Sequence, residues 1–387
     1  MKCLIDASQI ARGGAVQVAL AMITKAAADP NHEWHVAVSG ELSAEISDAL
    51  GGRLADLIRL PRRRNSFERM MVPRRYMPGV ERAAKPDVVF TIFGPAYWHA
   101  KAPHLVGFAL PRMIYPELEH VGKDHQPPWW RARLRGFIDG IRRRQFHRPD
   151  YLVVETETVR TRLEQCFGIQ PDRVIVVPNS FSPIFADEIA KLTVSPPNDR
   201  FRIAVPSSFY PHKNLGLIPP TAAKLRDQLD RPFEFCFTLP EQSPGWQDLA
   251  AKAEALGVAQ YLTTRGALPH GEIARLYRES HVVFLPTLLE CSTAVYPETF
   301  CAGIPLVTSD RDFARELCGG GARFIDPHSP DSAAEALAEV LSNPKVADQL
   351  VGNARQILPL HYPNPDQKWQ AQLAAIYRAC GQTPPAA

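Results

Sequence analysis

The chain has 387 residues, of which 45% are hydrophobic and 22% are charged. This length favours two domains over one core, and the composition excludes a disordered or fibrous chain. The net charge of +3 hides an uneven distribution, because residues 53–148 hold 20 Lys and Arg against 8 Asp and Glu, a local balance of +12. We therefore expect one part of the protein to meet an anionic partner.

Cysteine usage and hydropathy indicate the compartment. The seven cysteines are scattered, their number is odd and none forms a CxxC pair, which favours reduced thiols in a cytosol. The segment after Met1 is too short for the apolar region of a signal peptide. No apolar run approaches the roughly 18 residues of a membrane-spanning helix. We expect a cytoplasmic protein that contacts the inner face of the membrane peripherally.

In the first half of the chain, short apolar runs alternate with helical patterns, which is typical of βαβ units. Strands are predicted at residues 3–7, 34–38, 87–92, 104–108, 151–154 and 174–177. A tight Arg12-Gly13-Gly14 loop separates the first strand from a helix at residues 16–27, and a second helix is predicted at residues 157–167 with Thr156 as its cap.

The second half repeats this rhythm after a proline-rich break, which we interpret as a linker at residues 183–200. Strands are predicted at residues 202–205, 234–238, 261–264, 282–285, 306–308 and 323–325. The fold class is therefore α/β, with two mostly parallel, Rossmann-like domains at residues 1–182 and 201–360 facing each other across a cleft. The amphipathic helix at residues 366–380 is expected to pack back on the first domain.

Residues 283–310 form the most informative stretch, a buried strand, a loop, a short helix and a second buried strand. The loop at residues 290–293 follows the carboxyl end of a strand, where open α/β sheets bind ligands. Its backbone N–H groups and the start of the next helix would attract an anion such as a diphosphate. Glu290 begins the loop and Glu298 lies in the helix, so the two carboxylates could bracket one ligand.

This stretch resembles the donor-site signature of retaining GT-B glycosyltransferases, in particular family 4, the glycosyl transferases group 1. The matching positions are Pro286-Thr287, Glu290, Glu298 and Ala302-Gly303-Ile304-Pro305. The resemblance implies a catalytic Glu290 beside the donor sugar and a Glu298 bound to the nucleoside ribose. Two glutamates eight residues apart usually lie on a solvated helix face, and only the surrounding strands and loop favour the functional interpretation here.

Further donor-binding residues follow from the same resemblance. Lys213-Asn214 match the second member of the family's basic pair, and Lys213 could bind a diphosphate as a point charge. The family's Arg is absent, with Ser207 and Ser208 near its place, and His212 partly compensates for it.

Two loops complete the predicted donor site. Cys291, Ser292 and Thr293 belong to the loop after Glu290. Gly13 and Gly14 match the glycine loop of the first domain, although a tight turn is the usual explanation of such a pair.

The histidine that many family members carry after the strand at residues 104–108 is replaced by an apolar residue. His99, His104 and His120 remain candidates for its role, but packing or surface positions explain each of them better. We therefore assign no general base.

The arginines between Arg131 and Arg148 indicate a basic helix face. No nucleic-acid motif accompanies them, so we expect no nucleic-acid partner. A solvated face is the simplest explanation, and a membrane surface with Trp129-Trp130 as interfacial anchors is the functional one. The Asp310-Arg311-Asp312 triplet has the DxD form of a metal-binding signature that belongs to a different glycosyltransferase fold. Here chance explains the triplet better, and we expect neither a metal site nor a cofactor.

The sequence thus predicts an enzyme that transfers a hexose-type sugar from a nucleoside diphosphate sugar to an acceptor hydroxyl, in surface polysaccharide or glycolipid synthesis. The resemblance implies retention without a metal, and the acceptor would be a carbohydrate or a lipid-linked molecule. Two alternatives stay open: a sugar-nucleotide epimerase of the same fold, and a non-catalytic sugar-nucleotide-binding subunit.

Overall fold

The computed structural model describes the chain in the ranges 1–11, 13–42, 46, 57–63, 65–118, 129–182, 184–185 and 189–384. The chain divides into two units. Unit 1 comprises Met1–Ile114, Pro127–Val177 and Asp366–Ala387, and unit 2 comprises Tyr115–Gln126 and Pro178–Pro365. The predicted linker at residues 183–200 falls within unit 2, and its residues 183 and 186–188 lie outside the described ranges.

Within the described ranges, unit 1 contains a parallel sheet of seven strands in the order β3-β2-β1-β4-β5-β6-β7. Its strands are β1 Lys2–Ala7, β2 Glu33–Val38, β3 Leu57–Arg59, β4 Val88–Thr91, β5 His104–Gly107, β6 Tyr151–Val154 and β7 Val174–Val176. The central strands are buried on both faces, as the burial of every residue of β4 and β5 shows.

In the described part of the unit, four helices connect these strands, and a fifth returns to them from the end of the chain. They are α1 Gly14–Ala28, α2 Ser66–Ala84, α3 Trp129–Phe146, α4 Glu157–Phe167 and, last in the chain, α12 Pro365–Ala379. In α4 the Thr156 hydroxyl accepts from the Val159 N–H at 3.2 Å, and Gly168 ends the helix with φ 69°. Both ends of that helix follow from local sequence chemistry.

Unit 2 contains, in its described part, a parallel sheet of six strands in the order β10-β9-β8-β11-β12-β13. Its strands are β8 Phe201–Val205, β9 Phe233–Phe237, β10 Leu262–Thr264, β11 Val282–Leu285, β12 Leu306–Ser309 and β13 Ala322–Ile325. Its helices are α5 Ile218–Leu225, α6 Pro244–Ala255, α7 His270–Arg278, α8 Val295–Ala302, α9 Asp312–Cys318, α10 Pro330–Ser342 and α11 Pro344–His361.

The C-terminal helix α12 belongs to the core of unit 1. Trp369, Leu373 and Ile376 share one apolar cluster with Ile5 of β1 and Val16 of α1. Each fully buried aliphatic side chain of this kind stabilises the fold by about 1.5–3 kcal/mol. The unit is thus completed by residues that follow the whole of unit 2 in the sequence.

The predicted fold class is confirmed, since both sheets are parallel and helices alternate with their strands. Several elements were not predicted, among them β3, α2 and α11. Helix α2 contains Pro73 and Pro78, and α11 contains Pro359. Proline disfavours helix interiors because it removes an N–H donor and clashes with the preceding turn, so the local signal there opposes the structure.

Candidate functional site

The strand order of unit 2 reverses between β8 and β11, the two neighbouring strands at its centre. The chain proceeds from β8 to β9 on one side and from β11 to β12 on the other, so the loops that leave these two strands diverge. Such a switch point leaves a crevice outside the carboxyl ends of the strands, where open α/β sheets bind ligands. The loops after β8 and β11 carry Lys213 and Glu290.

Hydrogen bonds fasten these two loops to each other. The backbone carbonyl of His212 accepts from the Leu288 N–H at 2.7 Å, and the Thr287 hydroxyl lies 3.2 Å from the same carbonyl oxygen. The imidazole of His212 stacks on the Tyr210 ring, with 5.6 Å between centroids. The loop after β8 therefore has a fixed register on the loop after β11.

The Lys213 ammonium donates to Glu290 Oε1 at 2.5 Å, across 77 residues of sequence. The Thr287 hydroxyl lies 2.9 Å from that oxygen and can donate to it. The Lys213 and Glu290 side chains are only 15% and 9% exposed. The pair is therefore held in a poorly solvated place, where a charge that loses its partner is strongly destabilised.

Glu298 lies in α8 and is buried. The Tyr277 hydroxyl, on α7, donates to Glu298 Oε2 at 3.2 Å. Burial raises the pKa of Glu298 from its ordinary 4.5 to about 8, and the bond from Tyr277 lowers that pKa only in part. The Glu298 carboxyl is thus protonated at neutral pH and can change its charge when a hydrogen-bond donor arrives.

The loop between Glu290 and α8 is lined with small polar and sulphur-bearing side chains. The Ser292 hydroxyl is buried and has no hydrogen-bond partner among the residues that the structure describes. The Thr293 hydroxyl accepts from the Val295 N–H at 3.4 Å, and Cys291 is buried. An orphan hydroxyl costs about 1–3 kcal/mol, which a ligand that accepts its hydrogen bond would recover.

Asn214 follows Lys213 with φ 55°, in the left-handed region that asparagine tolerates. Its side-chain amide donates to the Pro327 carbonyl at 2.8 Å and so fastens the loop after β13. Gly13 and Gly14 belong to unit 1, where Gly13 has φ 75° at the start of α1 and a Cβ at either glycine would meet no atom within 4 Å. The first turn of α1 is therefore open.

The histidine candidates differ in burial. His104 is buried in β5, and its Nε2 lies 2.9 Å from the Thr91 hydroxyl, which itself donates to Asp6. Burial lowers the pKa of His104 to about 4, so its imidazole is neutral. Because the Thr91 hydroxyl donates to Asp6, its oxygen is left to accept from Nε2 of His104. His99 is exposed, and His120 lies outside the described residues.

The aspartates of the Asp310-Arg311-Asp312 triplet are engaged by neighbouring side chains. Both oxygens of Asp310 accept from Arg315 at 2.7 Å. Asp312 accepts from the Tyr115 hydroxyl at 2.8 Å. These contacts give both carboxylates a structural role in unit 2.

Helix α3 presents an unusual surface, although the side chains of Trp129 and Arg131 lie outside the described set. Trp130, Leu134 and Phe137 are 50%, 52% and 67% exposed, and arginines surround them. No helix in the described ranges is long and apolar enough to cross a bilayer.

Tyr277 is the contact residue that sequence reasoning missed. It lies in α7, and only the three-dimensional fold brings its hydroxyl to Glu298. The signal that could have found it is physical: a buried glutamate needs a donor, and α7 supplies the buried phenol.

Two family models match the chain. The model for glycosyl transferases group 1 matches residues 188–357, and the model for glycosyltransferase family 4 matches residues 12–183. These ranges fall mainly in unit 2 and unit 1, respectively. No curated protein sequence matches the chain significantly.

Solved structures share the fold along nearly the whole chain. A sucrose-phosphate synthase from Thermosynechococcus elongatus has a TM-score of 0.73 at 15% identity, covering 98% of both chains. The Anabaena protein HepE in complex with UDP and glucose has a TM-score of 0.70 at 16% identity, covering 97% of this chain and 98% of that one. WaaG, a glycosyltransferase involved in lipopolysaccharide biosynthesis, has a TM-score of 0.71 at 15% identity, covering 96% and 99%. With both units matched by glycosyltransferase family models and the fold shared with these enzymes, the chain belongs to the group 1 glycosyltransferases of the GT-B fold.

Proposed function

We propose that this glycosyltransferase moves a hexose from a nucleoside diphosphate sugar to an acceptor hydroxyl, with retention and without a metal. The observation that carries the proposal is the Lys213–Glu290 contact at the switch point of unit 2, 2.5 Å between Nζ and Oε1. It puts a cation for phosphate and a carboxylate for sugar hydroxyls side by side in a poorly solvated place.

The diphosphate would lie against Lys213 and the loop after Glu290. Lys213 is a compact cation suited to phosphate oxygens. The Ser292 hydroxyl could donate to a phosphate oxygen and would then have the hydrogen-bond partner that it lacks among the described residues. The backbone N–H groups at the start of α8 add a positive partial charge.

In the reaction, the bond between the sugar C1 and the β-phosphate oxygen breaks, and a bond from the acceptor oxygen to C1 forms on the same face. The acceptor proton passes to the departing phosphate oxygen. Lys213 stabilises the charge that grows on the leaving diphosphate. Glu290, held by Lys213 and Thr287, orients the sugar hydroxyls, and Glu298 accepts from the ribose.

For the acceptor, we propose a carbohydrate or lipid-linked molecule used in surface polysaccharide or glycolipid synthesis, met at the inner face of the membrane. Helix α3 supports this with exposed apolar side chains among arginines. Helix α2 repeats the composition, with Phe67, Met71 and Tyr76 exposed near Arg74 and Arg75. Basic helices with exposed aromatic residues bind anionic membrane surfaces.

The test is calorimetry with UDP, GDP and ADP, followed by turnover of the matching sugar nucleotides with and without acceptors. UDP comes first because HepE is bound to UDP and glucose. Donor binding followed by acceptor-dependent transfer supports the proposal. Interconversion of the donor without any acceptor would favour an epimerase, and tight binding without turnover on any acceptor would favour a non-catalytic subunit.

A further inference from the structure

A cavity of about 400 Å³ lies between helix α3 and the turn Pro111–Met113 that follows β5. Among the described residues, three arginines and three apolar side chains line it: Arg112, Arg135, Arg142, Trp130, Leu134 and Ile138. Its volume is in the range of small-molecule sites. Because β5 is parallel to β1, Arg112 follows a strand at the same sheet edge as the Gly13 loop.

Two of the three guanidinium groups are available to a ligand. Arg112 and Arg135 make neither an ion pair nor a hydrogen bond with any residue of the described ranges. Arg142, in contrast, donates to Asp139 at 2.9 Å, which neutralises part of its charge. Guanidinium groups form paired, charge-assisted hydrogen bonds with phosphate oxygens.

The apolar wall of the cavity comes from helix α3, which also supplies Arg135 and Arg142. Trp130, Leu134 and Ile138 are spaced by four residues and therefore lie on one face of α3. All three are substantially exposed, and Phe137 extends the apolar surface beside them. A small inorganic anion would leave this wall in water, whereas a molecule with both an anionic group and a hydrocarbon chain would cover it.

We propose that this cavity binds the phosphate group of a phosphorylated lipid, with Arg112 and Arg135 on the phosphate and the first carbons of the chain against Trp130 and Leu134. The proposal rests on the proposed function, because the lipid is the carrier of the acceptor. It differs from a diffuse attraction between a basic helix and a charged bilayer, because it assigns the affinity to particular arginines.

The experiment compares two double variants in flotation with phosphatidylcholine vesicles that contain phosphatidic acid. Arg112→Gln with Arg135→Gln empties the cavity of its unpaired cations. Arg133→Gln with Arg144→Gln removes the same charge from exposed positions of α3 that do not line the cavity. We expect the cavity variant to lose at least tenfold more vesicle partitioning than the control variant.

Salt sharpens the distinction. At about 1 M ionic strength the Debye length falls to roughly 3 Å, so diffuse attraction is suppressed while contacts within the cavity persist. We expect the remaining binding to depend on Arg112 and Arg135 and not on the control pair. Equal losses in the two double variants, or no loss in either, would overturn the proposal.

Soluble ligands separate the lipid from free phosphate. Calorimetry should give at least tenfold tighter binding for short-chain phosphatidic acid than for inorganic phosphate, and Leu134→Ser should remove that difference. Equal affinity for the two ligands would refute a lipid site. UDP binding, measured in the same variants, should match the unaltered protein; its absence in the unaltered protein would count against the donor site and leave the cavity result standing.

Discussion

The two sheets reverse their strand order in the same way, but the polar side chains at the two reversal points differ in burial and in hydrogen-bond partners. In unit 1, Asp6 at the end of β1 is fully buried and accepts from the Ser8 N–H, the Thr91 hydroxyl and the Trp98 indole at 2.8–2.9 Å. In unit 2, Lys213 and Glu290 keep a small exposed surface and rely mainly on each other.

The difference shows that the strand order creates a crevice in both sheets, whereas the residues of the adjoining loops determine whether the crevice can bind a ligand. Three internal donors occupy most of the roughly four acceptor positions of the Asp6 carboxylate, which leaves it little capacity for a ligand and a large role in stability. The Lys213–Glu290 pair can exchange one partner for a diphosphate or a sugar hydroxyl. The Asp6 carboxylate should therefore matter for the stability of the fold, and the Glu290 carboxylate for the reaction with the donor.

The largest expected effect concerns Glu290. Glu290→Gln should lower the turnover number by about 100-fold, because preorganised charge at the reacting sugar affects the rate more than the binding. Nucleotide affinity should change far less, and calorimetry with UDP measures it separately. Glu272→Gln on α7, at an exposed position, serves as the control. A variant with normal turnover and weak UDP binding would show that Glu290 acts on the nucleotide instead.

Next comes Lys213. Lys213→Ala should weaken UDP binding by roughly 10- to 100-fold, which is the range for a lost hydrogen bond to a charged group. Uridine, which has no phosphate, should lose little. Titrations with the two ligands measure the difference, and Lys224→Ala, at an exposed lysine paired with Asp331, is the matched control. Equal losses for UDP and uridine would remove Lys213 from the phosphate site.

Asp6 tests the other side of the comparison. Asp6→Asn should reduce the free energy of unfolding by about 2 kcal/mol, because an amide nitrogen would face donors that now bind a carboxylate oxygen. UDP affinity should stay unchanged. Urea unfolding of the variant gives the first quantity and calorimetry the second. Weaker UDP binding in a well-folded variant would mean that the two switch points are more alike than their contacts suggest.

The smallest effect should come from the proton on Glu298. Its pKa of about 8 means that UDP, if its ribose hydroxyls donate to the carboxylate, must displace a proton near neutral pH. Affinity should therefore rise severalfold between pH 7 and pH 8, and calorimetry in buffers of different ionisation enthalpy should detect up to about one proton released. Glu298→Gln should abolish the release. Unchanged proton release in that variant would place the titrating group elsewhere.

The same carboxyl also links stability to pH. The unfolded chain releases this proton near pH 4.5, whereas the folded protein retains it until about pH 8. Rising pH therefore favours the unfolded state between about pH 4.5 and pH 8, and the stability contributed by the protonated Glu298 carboxyl is lost progressively. Glu298→Gln should remove this slope in urea unfolding measured across the window.

The fold was predictable where local chemistry and global structure agree. Helix α4 was predicted with both of its bounds, with Thr156 as its cap, and the structure adds Gly168 at its end. Strand β11 was predicted from four consecutive apolar residues, and all four are buried. Helix α2 was missed because its two internal prolines oppose the helix that tertiary packing nevertheless stabilises.

The site was predictable only through the family resemblance. Nothing in the spacing of Lys213 and Glu290, 77 residues apart, indicates that they touch. Strand order brings them together, and strand order depends on non-local pairing. The Tyr277–Glu298 bond and the cavity beside α3 escaped prediction for the same reason, since each joins segments that are remote in sequence.

The position of α12 has a consequence for the order of events during synthesis. Trp369, Leu373 and Ile376 share a core with Ile5, so β1 waits for a helix that is translated after the whole of unit 2. Meanwhile residues 178–365 of unit 2 have already emerged and can fold. During synthesis the N-terminal domain usually folds first, and this order of folding is thereby inverted. A nascent chain that has left the ribosome as far as residue 365 would expose all of unit 2, while the apolar face of β1 and α1 in unit 1 would still lack its cover.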